Sequence, residues 1–355
     1  MTEPTATSRA TRVLIVDDSV VARQLVARAV RSDATLELAG VAATGSSALD
    51  SLPSTRPDVV VLDLEMPGMD GFETLAAIRA SHPDLPVVVF SHHTPQGAAA
   101  TFRAMALGAT AYALKPTSTT GAQTAVRDDL LPLLRAVARI GVPTTHALPR
   151  TRPSPEGHRV AGVSLVVVGV STGGPTALAQ VLGGLPADLP VPVLVVQHMP
   201  PVFTTRLAAR LDAAGPLPVA EAVDGAPLVA GRVLLAPGGH HLSIAACQGL
   251  NVAVVHDGPP ENSCRPAVDV LFRAAAGLYR SHVLAVVLTG MGQDGLRGAR
   301  AISSAGGTVI AQDPTAAVVG SMPRAVIEAG LADDVLPLES IASEIARRSG
   351  RRPVQ

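Results

Sequence analysis

Carboxylate, hydroxyl and ammonium side chains follow successive apolar segments in the first third of the chain. Asp17 and Asp18 end the first segment, Asp63 the third and Ser91 the fourth, and Lys115 follows the fifth. Three neighbouring carboxylates repel one another unless a divalent cation lies among them, and hard oxygen ligands suit Mg²⁺. Lys115 is the single lysine among 28 basic residues, and its compact ammonium can reach a phosphoryl oxygen in a small pocket. Together these residue types predict a carboxylate that accepts a phosphoryl group, although for any one aspartate taken alone a helix cap is the better explanation.

A second group of polar residues has the composition that nucleophilic catalysis requires. The stretch 169–173 reads G-x-S-x-G, and this kind of turn between a strand and a helix can present Ser171 as a nucleophile. A serine nucleophile needs a base and an acid that orients the base. His198 ends the next apolar segment, and strands that follow one another in sequence often lie side by side.

The residues alone leave alternatives for both partners of Ser171. The histidines that compete with His198 are His240, His241 and His256. The acids that end apolar segments or lie in the following turns are Asp257, Asp294 and Asp313. Asp294 is preferred because it lies in a second glycine-rich turn, TGMGQDG, whose N–H groups are suited to holding an oxyanion. The chain order Ser, His, Asp argues against an α/β-hydrolase.

Short apolar segments alternate with helical patterns along the whole chain, which predicts an α/β protein with two doubly wound parallel sheets. The strands expected in the first domain are 12–18, 36–42, 58–64, 85–91 and 111–116. Those expected in the second are 164–170, 191–198, 231–237, 251–257, 282–290 and 307–313. A Pro-, Thr- and Arg-rich stretch without periodicity, 141–162, predicts a linker. The predicted organisation is a first domain at 1–122, a closing helix and linker at 123–162, a second domain at 163–346 and a tail at 347–355.

Composition excludes several classes of protein. With 47% apolar and 16% charged residues, the 355-residue chain is too apolar for a disordered protein. The formal charge of −1 provides no field that attracts nucleic acid. Two cysteines exclude a disulfide scaffold or a Cys-based zinc site. No apolar run approaches the roughly 20 residues that span a bilayer, so we expect a soluble, cytoplasmic protein without direct membrane insertion.

The N-terminal motifs VLIVDDS, VVVLDLEMPGMDG, VVFS and AYALKP resemble the receiver domain of two-component response regulators. The resemblance implies a flavodoxin-like fold with Asp63 as the phosphorylated residue and Ser91 and Lys115 as contacts of the phosphoryl group. It implies further that Tyr112 is the switch aromatic. The Mg²⁺ ligands that it implies are Asp17, Asp18 and Asp63.

The C-terminal motifs STGGP, QHMPPVFT, APGGHHL, HDGPPENSCRPAVDVLF, LTGMGQDG and SMPRAV resemble the catalytic domain of the chemotaxis protein-glutamate methylesterases of CheB type. The resemblance implies a Rossmann-like α/β esterase domain that needs no cofactor. Ser171 would be the nucleophile, His198 the base and Asp294 the orienting acid, and the backbone N–H of Met291 would contribute to the oxyanion hole.

What the resemblance implies about function concerns chemotactic adaptation. The second domain would hydrolyse glutamyl methyl esters on methyl-accepting chemoreceptors, with deamidation of receptor glutamines as a further activity. A chemotaxis sensor histidine kinase would be the phosphodonor, and phosphorylation of the receiver would activate the esterase.

Two other classes of function fit the sequence less well. A nucleotide-sensing module would use GVSTGGP as its phosphate loop, but the second domain has no ribose-binding acid about 20 residues after the turn. A transcriptional regulator needs a basic recognition helix, and the arginines of the second domain are scattered.

Overall fold

The computed structural model describes residues 9–92, 94–116, 120–138 and 162–350. The chain divides into two compact units, Met1–Ile140 and Gly141–Gln355. The linker expected at 141–162 lies outside the described residues except for Gly162, as do the last five residues of the expected tail. Of the helices within the described ranges, none combines the length and the apolar character needed to cross a membrane.

The first unit contains a five-stranded parallel sheet in the order β2-β1-β3-β4-β5. Its strands are β1 (Thr11–Val16), β2 (Leu36–Ala42), β3 (Val59–Leu62), β4 (Val87–Ser91) and β5 (Ala111–Leu114). Strands β1, β3 and β5 end before the polar residues that the sequence prediction included, because those residues belong to the following loops, and β4 begins later than predicted. The residues of β3 and β4 are buried throughout, as expected for strands that helices cover on both faces.

Helices separate the strands of the first unit. They are α1 (Val20–Arg31), α2 (Gly45–Thr55), α3 (Gly71–Ser81), α4 (Pro95–Ala106), α5 (Ala122–Ala125), a π-helical turn (Val126–Leu130) and α6 (Leu131–Val137). Each of the first four begins after a side chain that accepts a hydrogen bond from a backbone N–H of the first turn: Ser19, Thr44, Asp70 and Thr94. Such caps satisfy N–H groups that have no partner within the helix.

The second unit contains a seven-stranded parallel sheet and a separate two-stranded antiparallel hairpin. Its strands are β6 (Leu165–Val170), β7 (Val193–Gln197), β8 (Val219–Glu221), β9 (Val233–Leu235), β10 (His241–Cys247), β11 (Leu250–His256), β12 (Val283–Val287), β13 (Thr308–Gln312) and β14 (Asp334–Leu336). The order in the large sheet is β14-β13-β12-β6-β7-β9-β8, and β10 and β11 form the hairpin. The predicted class, two α/β domains with parallel sheets, is confirmed.

One strand that the alternating pattern predicts for the parallel sheet lies outside that sheet. The segment 251–257 corresponds to β11, which pairs with β10 outside the parallel sheet. Only one residue of β11 is buried, because a two-stranded hairpin covers one face and leaves the other in solvent. The sequence also did not predict β8, β10 or β14; two of these are only three residues long.

Helices of the second unit cover the sheet. They are α7 (Gly174–Gly183), α8 (Pro201–Ala214), α9 (Val268–Tyr279), a 3₁₀ turn (Arg280–His282), α10 (Leu296–Ser304), α11 (Ser321–Glu328) and α12 (Leu338–Arg348). Phe272 of α9 is fully buried in a core cluster that includes side chains of β6, β12 and α10. Because α12 extends to Arg348, the tail expected at 347–355 begins inside its last turn.

Candidate functional site

The order of strands brings three predicted site residues to one edge of the second sheet. Strand β6 lies between β7 and β12; Ser171 follows β6, His198 follows β7, and the turn after β12 carries Asp294. All three strands are parallel, so their carboxyl ends share an edge. Backbone hydrogen bonds continue past the strand ends, from His198 N–H to Val170 C=O (3.1 Å) and from Ser171 N–H to Thr289 C=O (3.0 Å).

The turn that carries Ser171 requires glycine. Gly173 has a φ of 79°, in the left-handed region, and directly precedes α7. A Cβ atom at Gly174 would lie 1.8 Å from Oε1 of Gln197. The Gln197 side chain cannot move aside without losing two hydrogen bonds, because its Nε2 donates to the carbonyl of Ser171 at 2.8 Å and to that of His198 at 3.2 Å. The Gln197 side chain thus joins the two loops.

The turn after β12 packs directly against Ser171. A Cβ atom at Gly290 would lie 2.9 Å from Cβ of Ser171 and 2.1 Å from Sδ of Met322. The N–H of Gly290 donates to the carbonyl of Val319 at 2.8 Å, which fixes the turn. Met291 is the next residue, so its backbone belongs to the segment beside the Ser171 side chain.

His198 and Asp294 form a close pair. Nε2 of His198 lies 2.7 Å from Oδ2 of Asp294, and the side chains are 12% and 2% exposed. Burial alone would lower the pKa of His198, but the hydrogen bonds with Asp294 and Cys264 raise it to about 9. Burial would raise the pKa of Asp294, and the hydrogen bond with His198 and the charge of that imidazolium hold it below its ordinary value. The pair is therefore an imidazolium–carboxylate pair at neutral pH.

The second nitrogen of the imidazole contacts a cysteine. Nδ1 of His198 lies 3.6 Å from Sγ of Cys264, and in the described part of the chain no hydrogen bond joins His198 to the Ser171 hydroxyl. Nδ1 points away from Asp294, so it is the atom available to take a proton from Ser171. Sequence reasoning considered Cys264 only as a disulfide or metal ligand and missed this contact, although the residue lies within the motif HDGPPENSCRPAVDVLF.

The competing residues are engaged elsewhere. His241 is buried and accepts from Ala267 N–H at 3.2 Å through Nδ1, while its Nε2 lies 3.0 Å from the carbonyl of Pro259. His240 pairs with Asp257 at 2.5 Å where both side chains are largely exposed. The two remaining candidates also have local partners: Nδ1 of His256 accepts from Gly258, and Asp313 accepts from the backbone and hydroxyl of Thr315.

The first unit places its predicted residues at the carboxyl edge of its own sheet. Asp17 and Asp63 are buried, and Nζ of Lys115 lies 2.8 Å from Oδ2 of Asp17 and 2.7 Å from Oδ2 of Asp63. Burial would lower the pKa of Lys115, but hydrogen bonds to the two carboxylates raise it. Burial also raises the pKa of Asp63, and the charge of Asp17 adds to this effect against the opposing influence of Lys115.

This acidic cluster has the donors that Mg²⁺ prefers. Asp17, Asp18 and Asp63 each offer one carboxylate oxygen, and the three atoms lie within 4.8 Å of one another. Asp18 is exposed while the other two are buried, so an ion held here would keep part of its hydration shell. Hard oxygen ligands with retained water fit Mg²⁺ well.

Ser91 and Tyr112 lie on adjacent strands near the cluster. Ser91 ends β4 and is buried, and its hydroxyl donates to the carbonyl of Gly97 at 3.1 Å. Tyr112 belongs to β5, where burial raises the pKa of its phenol. A cavity of about 470 Å³ opens beside Asp63 and Lys115 and is lined on its apolar side by Phe90 and Val21.

Comparisons with known proteins agree with this division of the chain. The family model described as CheB methylesterase matches residues 166–345, and that of the response regulator receiver domain matches residues 13–127. A protein-glutamate methylesterase/protein-glutamine glutaminase of Trichodesmium erythraeum is 45% identical over 96% of this chain and 99% of its own length. A protein of the same name from a Nocardioides species is 46% identical over 96% of both chains. The crystal structure of the Thermotoga maritima CheB methylesterase catalytic domain is similar with 46% identity and a TM-score of 0.51, over 52% of this chain and 97% of that one.

Proposed function

Because the chain belongs to the CheB methylesterase family and carries a response regulator receiver domain, we propose that it hydrolyses glutamyl methyl esters on methyl-accepting chemoreceptors. Ser171, His198 and Asp294 are the catalytic residues of this proposal. The observation that supports it is the 2.7 Å pair of His198 and Asp294 on the strand ends either side of the Ser171 turn.

The proposed reaction proceeds through an acyl-enzyme. Neutral His198 takes the proton of the Ser171 hydroxyl through Nδ1 while Oγ attacks the ester carbonyl. The N–H of Met291 stabilises the resulting oxyanion. The tetrahedral intermediate collapses when the imidazolium returns its proton to the leaving methoxide and methanol departs. A water molecule, deprotonated by His198, then hydrolyses the acyl-enzyme and regenerates Ser171.

Asp294 orients the base in this scheme. Its hydrogen bond fixes the proton on Nε2 of His198, which leaves Nδ1 for the serine. The carboxylate also stabilises the imidazolium that forms during attack. Glutamine side chains pass through a similar tetrahedral intermediate with ammonia as the leaving group, so the same residues account for the glutaminase activity that the relatives' names include.

The receiver is proposed to control this activity by phosphorylation of Asp63. Asp17, Asp18 and Asp63 would hold Mg²⁺, which supplies positive charge at the phosphoryl oxygens when it is bound. Lys115, which pairs with Asp17 and Asp63, would turn its ammonium to the phosphoryl group. The Ser91 hydroxyl would leave the Gly97 carbonyl to contact the same group, and Tyr112 would follow this movement as the switch aromatic. A chemotaxis sensor histidine kinase is the proposed phosphodonor.

Serine-directed labelling tests the proposal. The full chain is incubated with a fluorophosphonate, with and without acetyl phosphate and Mg²⁺, and the labelled residue is identified by mass spectrometry. We expect a single label on Ser171, no label in Ser171→Ala, and faster labelling after phosphorylation. Asp63→Asn is the control, and its labelling rate should not respond to acetyl phosphate. A Ser171→Ala variant that still hydrolyses glutamyl methyl esters would refute the assignment of Ser171 as the nucleophile.

A further inference from the structure

The oxygen of Asp294 that does not face His198 is held by three donors. Oδ1 accepts from Nδ2 of Asn262 at 2.9 Å, from the N–H of Asp269 at 3.0 Å and from the N–H of Gly295 at 3.0 Å. Asn262 is the only side chain among these donors. It comes from the loop before α9, whereas Asp294 precedes α10, so the amide links two separate loops.

The same amide group binds a second buried carboxylate. Nδ2 of Asn262 also donates to Oδ2 of Asp269 at 3.0 Å, and Asp269 is 1% exposed. The other oxygen of Asp269 accepts from Gly295 N–H at 3.0 Å and Gly298 N–H at 2.7 Å. Asp269 thereby ties Gly295, the residue after Asp294, and the first turn of α10 to the first turn of α9.

The carboxylates of Asp294 and Asp269 are both buried and repel each other, and two donors contact both of them: the Asn262 amide and the Gly295 N–H. Burial raises the pKa of Asp269, and the charge of Asp294 raises it further. Without the Asn262 amide, the Gly295 N–H would be the one shared donor left among those described, and the repulsion would push the carboxylate of Asp294 away from Asp269. This movement would displace the oxygen that the imidazole of His198 contacts.

We propose that Asn262 is a positioning residue of the esterase: its amide bridges Asp294 and Asp269 and keeps the Asp294 carboxylate directed at His198. This role rests on the proposed function of Ser171, His198 and Asp294. Asn262 acts through Asp294 and does not take part in the bond-making steps.

The backbone of Asn262 suggests a competing, purely structural role that the test must separate. Its φ of 51° lies in the left-handed region, which Asn, Asp and Gly adopt most readily. Asn262→Gly therefore keeps the backbone and removes the amide. Asn262→Asp keeps the backbone and the shape but donates a hydrogen bond only when its carboxyl group is protonated.

The experiment measures the rate of Ser171 labelling by a fluorophosphonate, from acidic to alkaline pH, in the full chain. We expect Asn262→Gly to react about 10- to 100-fold more slowly than the wild type, since a hydrogen bond to a charged group is lost. The rate of Asn262→Asp divided by that of Asn262→Gly should fall as the pH rises, because the donor is lost on ionisation. The titration of His198 affects both variants and largely cancels in this ratio.

The controls separate the possible outcomes. Asn251→Asp makes the same substitution at the only other asparagine, on β11, and should react as the wild type does. Melting curves establish that each variant is folded at the assay temperature. A wild-type rate in Asn262→Gly, or a ratio that does not change with pH, would overturn the positioning role alone. A wild-type chain that is not labelled at Ser171 would overturn the proposed function and this role with it.

Discussion

The contact between Cys264 and His198 leads to a quantitative prediction about pH dependence. With a pKa of about 9, His198 is protonated at neutral pH and must lose this proton before it acts as a base. The rate of Ser171 labelling should therefore rise with pH and level off above this pKa. The hydrogen bond to Cys264 contributes to the raised pKa, so Cys264→Ala should lower the pKa and shift the rise in rate to lower pH.

The size of the shift follows from the geometry. A hydrogen bond to a charged group contributes about 1.5–3 kcal/mol, and the 3.6 Å distance to a sulfur atom places this contact at or below the weak end of that range. About 1.4 kcal/mol corresponds to one pH unit. At pH 7 the neutral fraction of His198 would increase from about 1% to about 10%. Cys264→Ala should thus be labelled up to about tenfold faster at pH 7, and at the same rate as the wild type where both imidazoles are neutral.

The assay is the initial rate of fluorophosphonate labelling as a function of pH. Cys247→Ala is the matched control, because Cys247 is exposed at the end of β10 and is the only other cysteine. Its pH profile should be that of the wild type. The reasoning is wrong if the profile of Cys264→Ala is unchanged or moves to higher pH.

Three further predictions concern the turn beside Ser171, the receiver and the core. Gly290→Ala should abolish labelling of Ser171, since the new methyl group would lie 2.1 Å from Sδ of Met322 and 2.9 Å from Cβ of Ser171. The control is Gly277→Ala, in a helix with no atom near the added Cβ. This variant should be labelled at Ser171 as the wild type is, and its free energy of unfolding should increase by about 0.5–1 kcal/mol. Phosphorylation of Asp63 by acetyl phosphate, measured by mass spectrometry, should stop when a chelator removes Mg²⁺ and resume when Mg²⁺ is restored. Chelation should leave the basal labelling rate of Ser171 unchanged. Phosphorylation of Asp63 without Mg²⁺ would argue against the acidic cluster as the Mg²⁺ site. Phe272→Ala should lower the free energy of unfolding by about 3–5 kcal/mol in denaturant titrations, because the ring is fully buried, and a loss under about 1 kcal/mol would indicate that the core refills the space.

Several parts of the fold follow from local sequence. The buried Val- and Leu-rich strands and the capped helices of the first unit have signals within a few residues, and the structure confirms the α/β class. The hairpin was not recognised as such, because its apolar pattern in β11 resembles that of a half-buried strand of any sheet. Strands such as β8 and β14 are too short to have a periodicity, and their pairing with β9 and β13 depends on residues distant in sequence.

For the candidate site too, some features follow from local sequence and others depend on the tertiary structure. The types and order of Ser171, His198 and Asp294 were available from the sequence, and their catalytic roles stay a prediction. The choice between Asp294 and Asp257 could not be made from spacing alone, because it depends on which strands flank β6. The contacts of Asn262 and Cys264 were missed for a related reason. Both residues lie in a loop that has no periodic pattern, and their partners are 32 and 66 positions away in the chain.

Sequence by itself determined which chemical groups this protein has at the ends of its strands, since the side chains and the alternation of strand and helix are local properties. Only the tertiary structure decided which of these groups meet, because the strand order β12-β6-β7 places β12 (Val283–Val287) beside β6 (Leu165–Val170), which is distant in sequence. It also decided their protonation: the raised pKa of His198 results from burial beside Asp294 and Cys264, an environment that exists only after the chain has folded.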